Sequence, residues 1–215
     1  PKHSGISYFV CPMDLPGIEI RPITEMTGAQ LFNEVFFTDV RLPAANLVGN
    51  VNDGWRLAKV TLGNERVSLS TGGVLWGNGP TGAELVDLIR ATGPVHDPML
   101  RQRIARVHTE HSLLHLIRMR MLSATLAGRP PGPEASIRKL LADEHGQHVM
   151  ALARDMVGAD ALLSRADGAA DGLLDPSWYD GYMFAPALTI GGGTWAVQRN
   201  IIGERVLGLP AEPAT

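Results

Sequence analysis

The hydrophobic pattern of this chain changes period near Gly49, and that change constrains the fold more than any other feature. Up to Val48 apolar and polar residues alternate, as in strands with one covered face. After Gly49 apolar residues recur every three or four positions, as on the buried side of helices. Strands are expected at 6–10, 18–23 and 31–37, separated by the turn-rich crossing 12–17 and by Thr27-Gly28. Residues 39–43 are expected as a closing edge, where Pro43 is tolerated. Three or four strands with no return partner complete neither a barrel nor a sandwich, so further strands are expected upstream of Pro1, and the chain reads as a piece of a longer protein.

The helical part opens at Asn52-Asp53-Gly54, where a short side-chain oxygen can cap a helix start. This first helix is expected from Asp53 to about Leu75, with Trp55, Ala58, Leu62 and Leu69 on a buried stripe that Val60 and Val67 widen. At its centre stands Asn64-Glu65-Arg66. Adjacent side chains on a helix point about 100° apart, so Glu65 and Arg66 cannot pair with each other and each needs another partner. A short helix is expected over 83–91, stopped by Gly93-Pro94. A long one starts at the N-cap Asp97 with Pro98 in the first position, bearing Leu100, Ile104, Val107, His111, Leu114, Ile117 and Met121 on one side. Another runs from Pro133 to about Val157 with Ile137, Leu140, Leu141, His148, Leu152 and Met156. After a Gly/Asp-rich loop, 164–176, a final helix is expected from Trp195 to Leu207, opened by Gly191-Gly192-Gly193-Thr194. The fold class is therefore α+β, predominantly α: a partial antiparallel β domain, residues 1–50, followed by an up-down four-helix bundle, residues 52–215.

Composition narrows the function. A net charge of −3 gives no electrostatic case for nucleic acid or an anionic membrane. The single cysteine, Cys11, cannot form an internal disulfide, which fits a reducing cytoplasm. No apolar run approaches the ~20 residues that span a bilayer, and no stretch reads as a signal peptide. Gly191-Gly192-Gly193-Thr194 could receive a phosphate or a flavin edge on free backbone N–H groups; its plainer role is a helix start. His111 with His115, and His145 with His148, share helix faces, but the Glu-x-x-His and H-E-x-x-H metal motifs are absent, so these read as packed histidines. Trp178, Tyr179 and Tyr182 are expected to pack rather than to bind.

Three stretches together resemble the FAD-dependent acyl-CoA dehydrogenases. SGISYFVCPMDLPGIEIRPITEMTGAQLFNEVFFTDVRLPAANLVG is similar to the second half of their middle β domain, NDGWRLAKVTLGNER to the first helix of their C-terminal bundle, and GGGTWAVQRNIIGERVLGLP to their terminal helix. The resemblance implies a flavoprotein of lipid metabolism that converts an acyl-CoA thioester to the trans-2-enoyl-CoA, with FAD as hydride acceptor and electron-transfer flavoprotein or an equivalent as electron acceptor. Most members carry the catalytic carboxylate just before the Gly-Thr of the terminal motif, where this chain has Gly192. Others place it on the first bundle helix before an arginine, which here is Glu65 before Arg66. Glu65 is thereby implied as the base and Arg66 as a substrate-side or orienting residue. Gly193, Thr194 and Trp195 are implied as flavin contacts. Two further flavin motifs depart from the family: Ala91-Thr92-Gly93-Pro94-Val95 and Val157-Gly158-Ala159-Asp160-Ala161 stand in their places. Those departures keep open an alternative, a non-catalytic partner subunit of an unlike-subunit tetramer. Either way a homo- or hetero-tetramer is implied.

Overall fold

The computed structural model describes residues 3–69, 80–129, 132–162 and 177–211, with the side chains of 66–69 left aside. Contacts divide the chain into two units, Pro1–Glu65 and Arg66–Thr215. The division falls inside a helix.

In the first unit β1 (Tyr8–Phe9) pairs antiparallel with β4 (Leu47–Val48), and β2 (Ile18–Ile23) with β3 (Phe32–Phe37). The β2–β3 register sets Ile18 against Phe37 and Ile23 against Phe32. Every side chain of β3 is exposed among the described residues. The expected edge strand at 39–43 does not form. Asp39 takes a left-handed φ of 51°, Pro43 has no N–H to offer a ladder, and a 3-10 turn (Ala44–Asn46) follows. The edge is instead β4, reached after that turn, with Val10 N donating to Asn46 O at 3.0 Å.

Helix α1 (Gly54–Leu69) starts against β1. Gly54 N donates to Ile6 O at 2.8 Å, and a Cβ at residue 54 would lie 2.6 Å from the backbone carbon of Ser7, so only glycine permits this approach. Asp53, the expected cap, holds Arg56 through its carboxylate at 2.8 Å. The expected wide buried stripe is not seen: Trp55, Leu57 and Ala58 are half-buried, while Val60 and Leu62 are exposed.

The second unit is helical. It contains α2 (Gly82–Thr92), α3 (Pro98–Leu126), α4 (Ala135–Val157), α5 (Ser177–Phe184) and α6 (Trp195–Ile201). Local chemistry sets the boundaries. Thr81 and Glu84 form a capping box at the start of α2, and Gly93 ends it at φ 82°. Asp97 accepts from Met99 N at 2.8 Å ahead of Pro98, as the sequence predicts for α3. Helix α4 lies at the centre. Its Val149, Met150, Leu152 and Ala153 pack with Leu85 and Leu88 of α2, Val107 of α3, and Trp178 and Phe184 of α5. Each large side chain so buried contributes about 1.5–3 kcal/mol.

Two features depart from the expected pattern. Helix α5 and the 3-10 segment Ala185–Thr189 close the core where only aromatic packing was expected. The terminal helix is not uniform: α6 gives way to a π turn, Ile202–Val206, in which Leu207 N donates to Ile202 O at 3.0 Å. Residues 70–79, with most of the Gly-rich stretch and the expected end of the first helix near Leu75, and the whole loop 164–176 lie outside the described residues. No helix among the described residues is long and apolar enough to cross a membrane.

Candidate active site

Helix α6 begins at a turn whose carbonyls are held from within. Gly192 and Gly193 take φ of 67° and 96°, conformations that other residues rarely adopt. The buried Gln198 donates Nε2 to Gly192 O at 2.9 Å and to Gly193 O at 3.1 Å. From α4, Lys139, 1 % exposed, donates to Gly193 O at 2.9 Å, to Leu188 O at 3.1 Å and to the carboxylate of Asp143. All three ammonium protons are thus engaged. Burial pushes the Asp143 carboxyl up to about 6, against the opposing pull of Lys139. Thr194 caps α6, its hydroxyl oxygen accepting from Val197 N at 3.4 Å. Trp195 is 48 % exposed, with the Arg199 guanidinium 4.4 Å over its ring.

A second polar cluster bridges α3 and α4. Glu110, 7 % exposed, meets His148 Nδ1 at 3.0 Å and His145 Nδ1 at 3.4 Å, and accepts from Arg106 Nε at 2.8 Å. Burial pushes the Glu110 carboxyl upward, but the bonds from His148, Arg106 and His145 carry it below the ordinary value. Burial lowers His145, only partly offset by Glu110. Sequence reading missed Glu110, assigning that side of α3 to His111, which is exposed. A signal was present, since Glu110 lies between Val107 and Leu114 on the apolar stripe and four residues after Arg106. The buried side of α4 was misplaced as well. Ile137 is exposed, whereas Ser136, Lys139, Asp143 and His145 are buried, because a central helix is covered on more than one side.

The structure brings Gly193, Thr194 and Trp195 together at the start of α6, in the second unit. Glu65 is the last residue of the first unit, exposed on α1, and no hydrogen bond or ion pair engages it among the described residues. Arg66 follows it on the helix backbone, its side chain outside the described residues. In a planar trans peptide the N–H points opposite the C=O. With the Gly192 and Gly193 carbonyls drawn toward Gln198 and Lys139, the N–H groups of Gly193 and Thr194 face the other way. Outward amides beside an exposed indole suit a flat group that is apolar on its faces and carries acceptors along its edge, as a flavin does.

The second unit is thus a helical unit packed round the central α4, with a Gly-Thr helix start at α6. A family model for the acyl-CoA dehydrogenase C-terminal domain matches residues 52–207, and the chain belongs to the acyl-CoA dehydrogenase family. It is 41 % identical over 214 residues to acyl-CoA dehydrogenase IpdE1 of Mycobacterium tuberculosis, covering 98 % of this chain and 52 % of that protein. It is 37 % identical over 211 residues to acyl-CoA dehydrogenase FadE34 of the same organism, covering 98 % of this chain and 27 % of the relative. Among solved structures, the Tcur3481-Tcur3483 steroid ACAD superposes with a TM-score of 0.83 at 26 % identity, over 99 % of this chain and 54 % of that one. The ChsE4-ChsE5 complex from Mycobacterium tuberculosis gives 0.75 at 28 % identity, over 99 % and 54 %. The chain therefore spans about half, or less, of the length of the relatives it matches.

Proposed function

We propose that this chain is the C-terminal portion of an FAD-dependent acyl-CoA dehydrogenase, residues 1–50 belonging to a middle β domain and residues 52–215 to the helical-bundle domain. The reaction is α,β-dehydrogenation of an acyl-CoA thioester to the trans-2-enoyl-CoA. Bound FAD supplies the acceptor for the hydride that leaves the β-carbon. Glu65 takes the α-proton on its carboxylate, and Arg66 orients that carboxylate or the thioester. Gly193, Thr194 and Trp195 would hold the flavin, the first two through their backbone N–H groups and Trp195 through its exposed indole. One observation carries the reading: a carboxylate unengaged among the described residues stands at Glu65, while Gly192, at the family's other base position, has no side-chain group that can accept a proton. Electrons leave to an electron-transfer flavoprotein or an equivalent acceptor, and the protein works as a tetramer in the cytoplasm.

A second reading is supported by Gly192, by the altered segments 91–95 and 157–161, and by likeness to structures named as pairs, Tcur3481-Tcur3483 and ChsE4-ChsE5. In it this chain is the non-catalytic partner in a heterotetramer. The same experiment separates the two. In the full-length protein Glu65→Gln keeps the shape of the side chain and removes its basicity, so bleaching of the flavin by acyl-CoA slows by ~10²–10⁴. Adding Gly192→Glu returns part of the rate. Bleaching at the parent rate in Glu65→Gln refutes the catalytic role, and a full-length protein with no flavin absorbance favours the partner reading.

A further inference from the structure

The Gly192–Thr194 turn is held by two buried side chains that packing alone does not require. Lys139 sits on the central helix, where a methionine of similar length would fill the space without a charge to desolvate. Its ammonium reaches past its partner Asp143 to two carbonyls, Leu188 O and Gly193 O, which bracket the chain entering α6. Gln198 adds a second hold from within α6. Its Nε2 bonds both glycine carbonyls, yet its buried Oε1 has no partner among the described residues, a cost that leucine would avoid. The fit is close. A Cβ on residue 193 would fall 2.6 Å from Gln198 Nε2, so the glycine and the glutamine define each other's position.

We infer that Lys139 and Gln198 are positioning residues: they draw the Gly192 and Gly193 carbonyls inward and so aim the Gly193 and Thr194 amides outward at the ligand. For the turn this stands on the geometry alone; for the flavin it rests on the function proposed above. The two side chains act from different helices, one from α4 and one from α6, and share the Gly193 carbonyl, so loss of either removes part of the hold on the turn. A buried ion pair is weak support for stability in itself, since apolar replacement of both partners is often neutral. What such a replacement removes here is the direction of two peptide groups.

The test uses the full-length protein carrying Lys139→Met with Asp143→Leu, which leaves no buried charge unpaired, and separately Gln198→Leu, which leaves the α4 pair intact. Hydrogen exchange is followed at Gly191 and at residue 198, corrected for the intrinsic rate of leucine in Gln198→Leu; in the parent these amides bond Ala187 O at 3.1 Å and Thr194 O at 2.9 Å. Loss of the two carbonyl bonds that each variant removes accelerates exchange there by ~10-fold or more, while core amides such as Leu88 and Leu114 hold their parent rates. Met150→Ala, a core truncation in the same helix, serves as the comparison. If it accelerates Gly191 and Gln198 as much as the variants do, or if the variants exchange at the parent rate, the positioning role is overturned. The dissociation constant for FAD is measured on the same proteins and rises ~10-fold or more in both variants but not in Met150→Ala. An unchanged constant beside accelerated exchange overturns the link to the flavin. A parent protein that binds no FAD defeats the proposed function and leaves the exchange result to decide the inference.

Discussion

Replacing Glu110 by glutamine keeps the volume of the side chain and removes the charge on which three neighbours converge. The pair with Arg106 contributes little, at most about 1 kcal/mol, because the arginine side chain is 61 % exposed. The bond from His148 is charge-assisted and worth roughly 1.5–3 kcal/mol. His145, buried behind it, keeps at best a neutral acceptor. The expected loss is therefore about 2–4 kcal/mol. For a chain of 215 residues each kilocalorie moves the melting temperature by about 2–4 °C, so Glu110→Gln should melt about 4–16 °C below the parent near pH 7.5. The Glu110 carboxyl is held below its ordinary 4.5, so its contribution is present above that pH and is lost as pH falls through the folded-state value. The gap between parent and variant should accordingly close in acid. Calorimetry at neutral and acid pH measures both effects, and equal melting of the two proteins at pH 7.5 would refute the account of this cluster.

Three further outcomes are expected. Gly193→Ala places a Cβ against Gln198 in a backbone at φ 96°, which should cost about 2–4 kcal/mol in a denaturant titration; a loss under ~0.5 kcal/mol would show that the turn relaxes freely. Gly54→Ala drives a Cβ into the backbone of Ile6 and Ser7, and should expose the segment before α1 to proteolysis at rates the parent does not show; an unchanged digestion pattern would count against that contact. The pH dependence combines opposite signs. His145 is lowered from 6.5 by burial, so stability falls as pH drops through 6.5, whereas Asp143, raised from 3.8 to about 6, adds stability as pH falls through 6. His145→Phe should flatten the loss below 6.5 in urea midpoints taken from pH 5 to 8, and an unaltered slope would remove His145 from the explanation.

Much of the fold is legible in the residues because the signals are local. The change of period at Gly49, the Asp97-Pro98 start and the Gly93 stop all act within one or two turns, and each lies where the structure has it. The misreadings come from packing between distant segments. Asp39 to Pro43 reads as strand by composition, yet the backbone turns away before Ala44 and the pairing passes to Leu47 and Val48. Lys139, Asp143 and Glu110 are charged residues that a hydrophobic pattern assigns to the surface, and they are buried along with the packed His145 because each finds a partner on another element or one turn along its own helix. The start of α6 was visible as Gly191 to Thr194, but the hold of Lys139 on it spans 54 positions in the chain and has no local sign. Glu65 was singled out from its place beside Arg66, and its exposure on α1 is compatible with either reading of the chain.

The π turn at Ile202–Val206 sets the direction in which the end of this helix points. A π turn holds one residue more than the α turn it widens. Deleting Gly203 should restore ordinary α spacing and rotate everything beyond it by about 100°. Arg205 and Leu207 would then point to different sides, although every remaining residue stayed the same. At this helix the loss of one residue is a change of direction as well as of length.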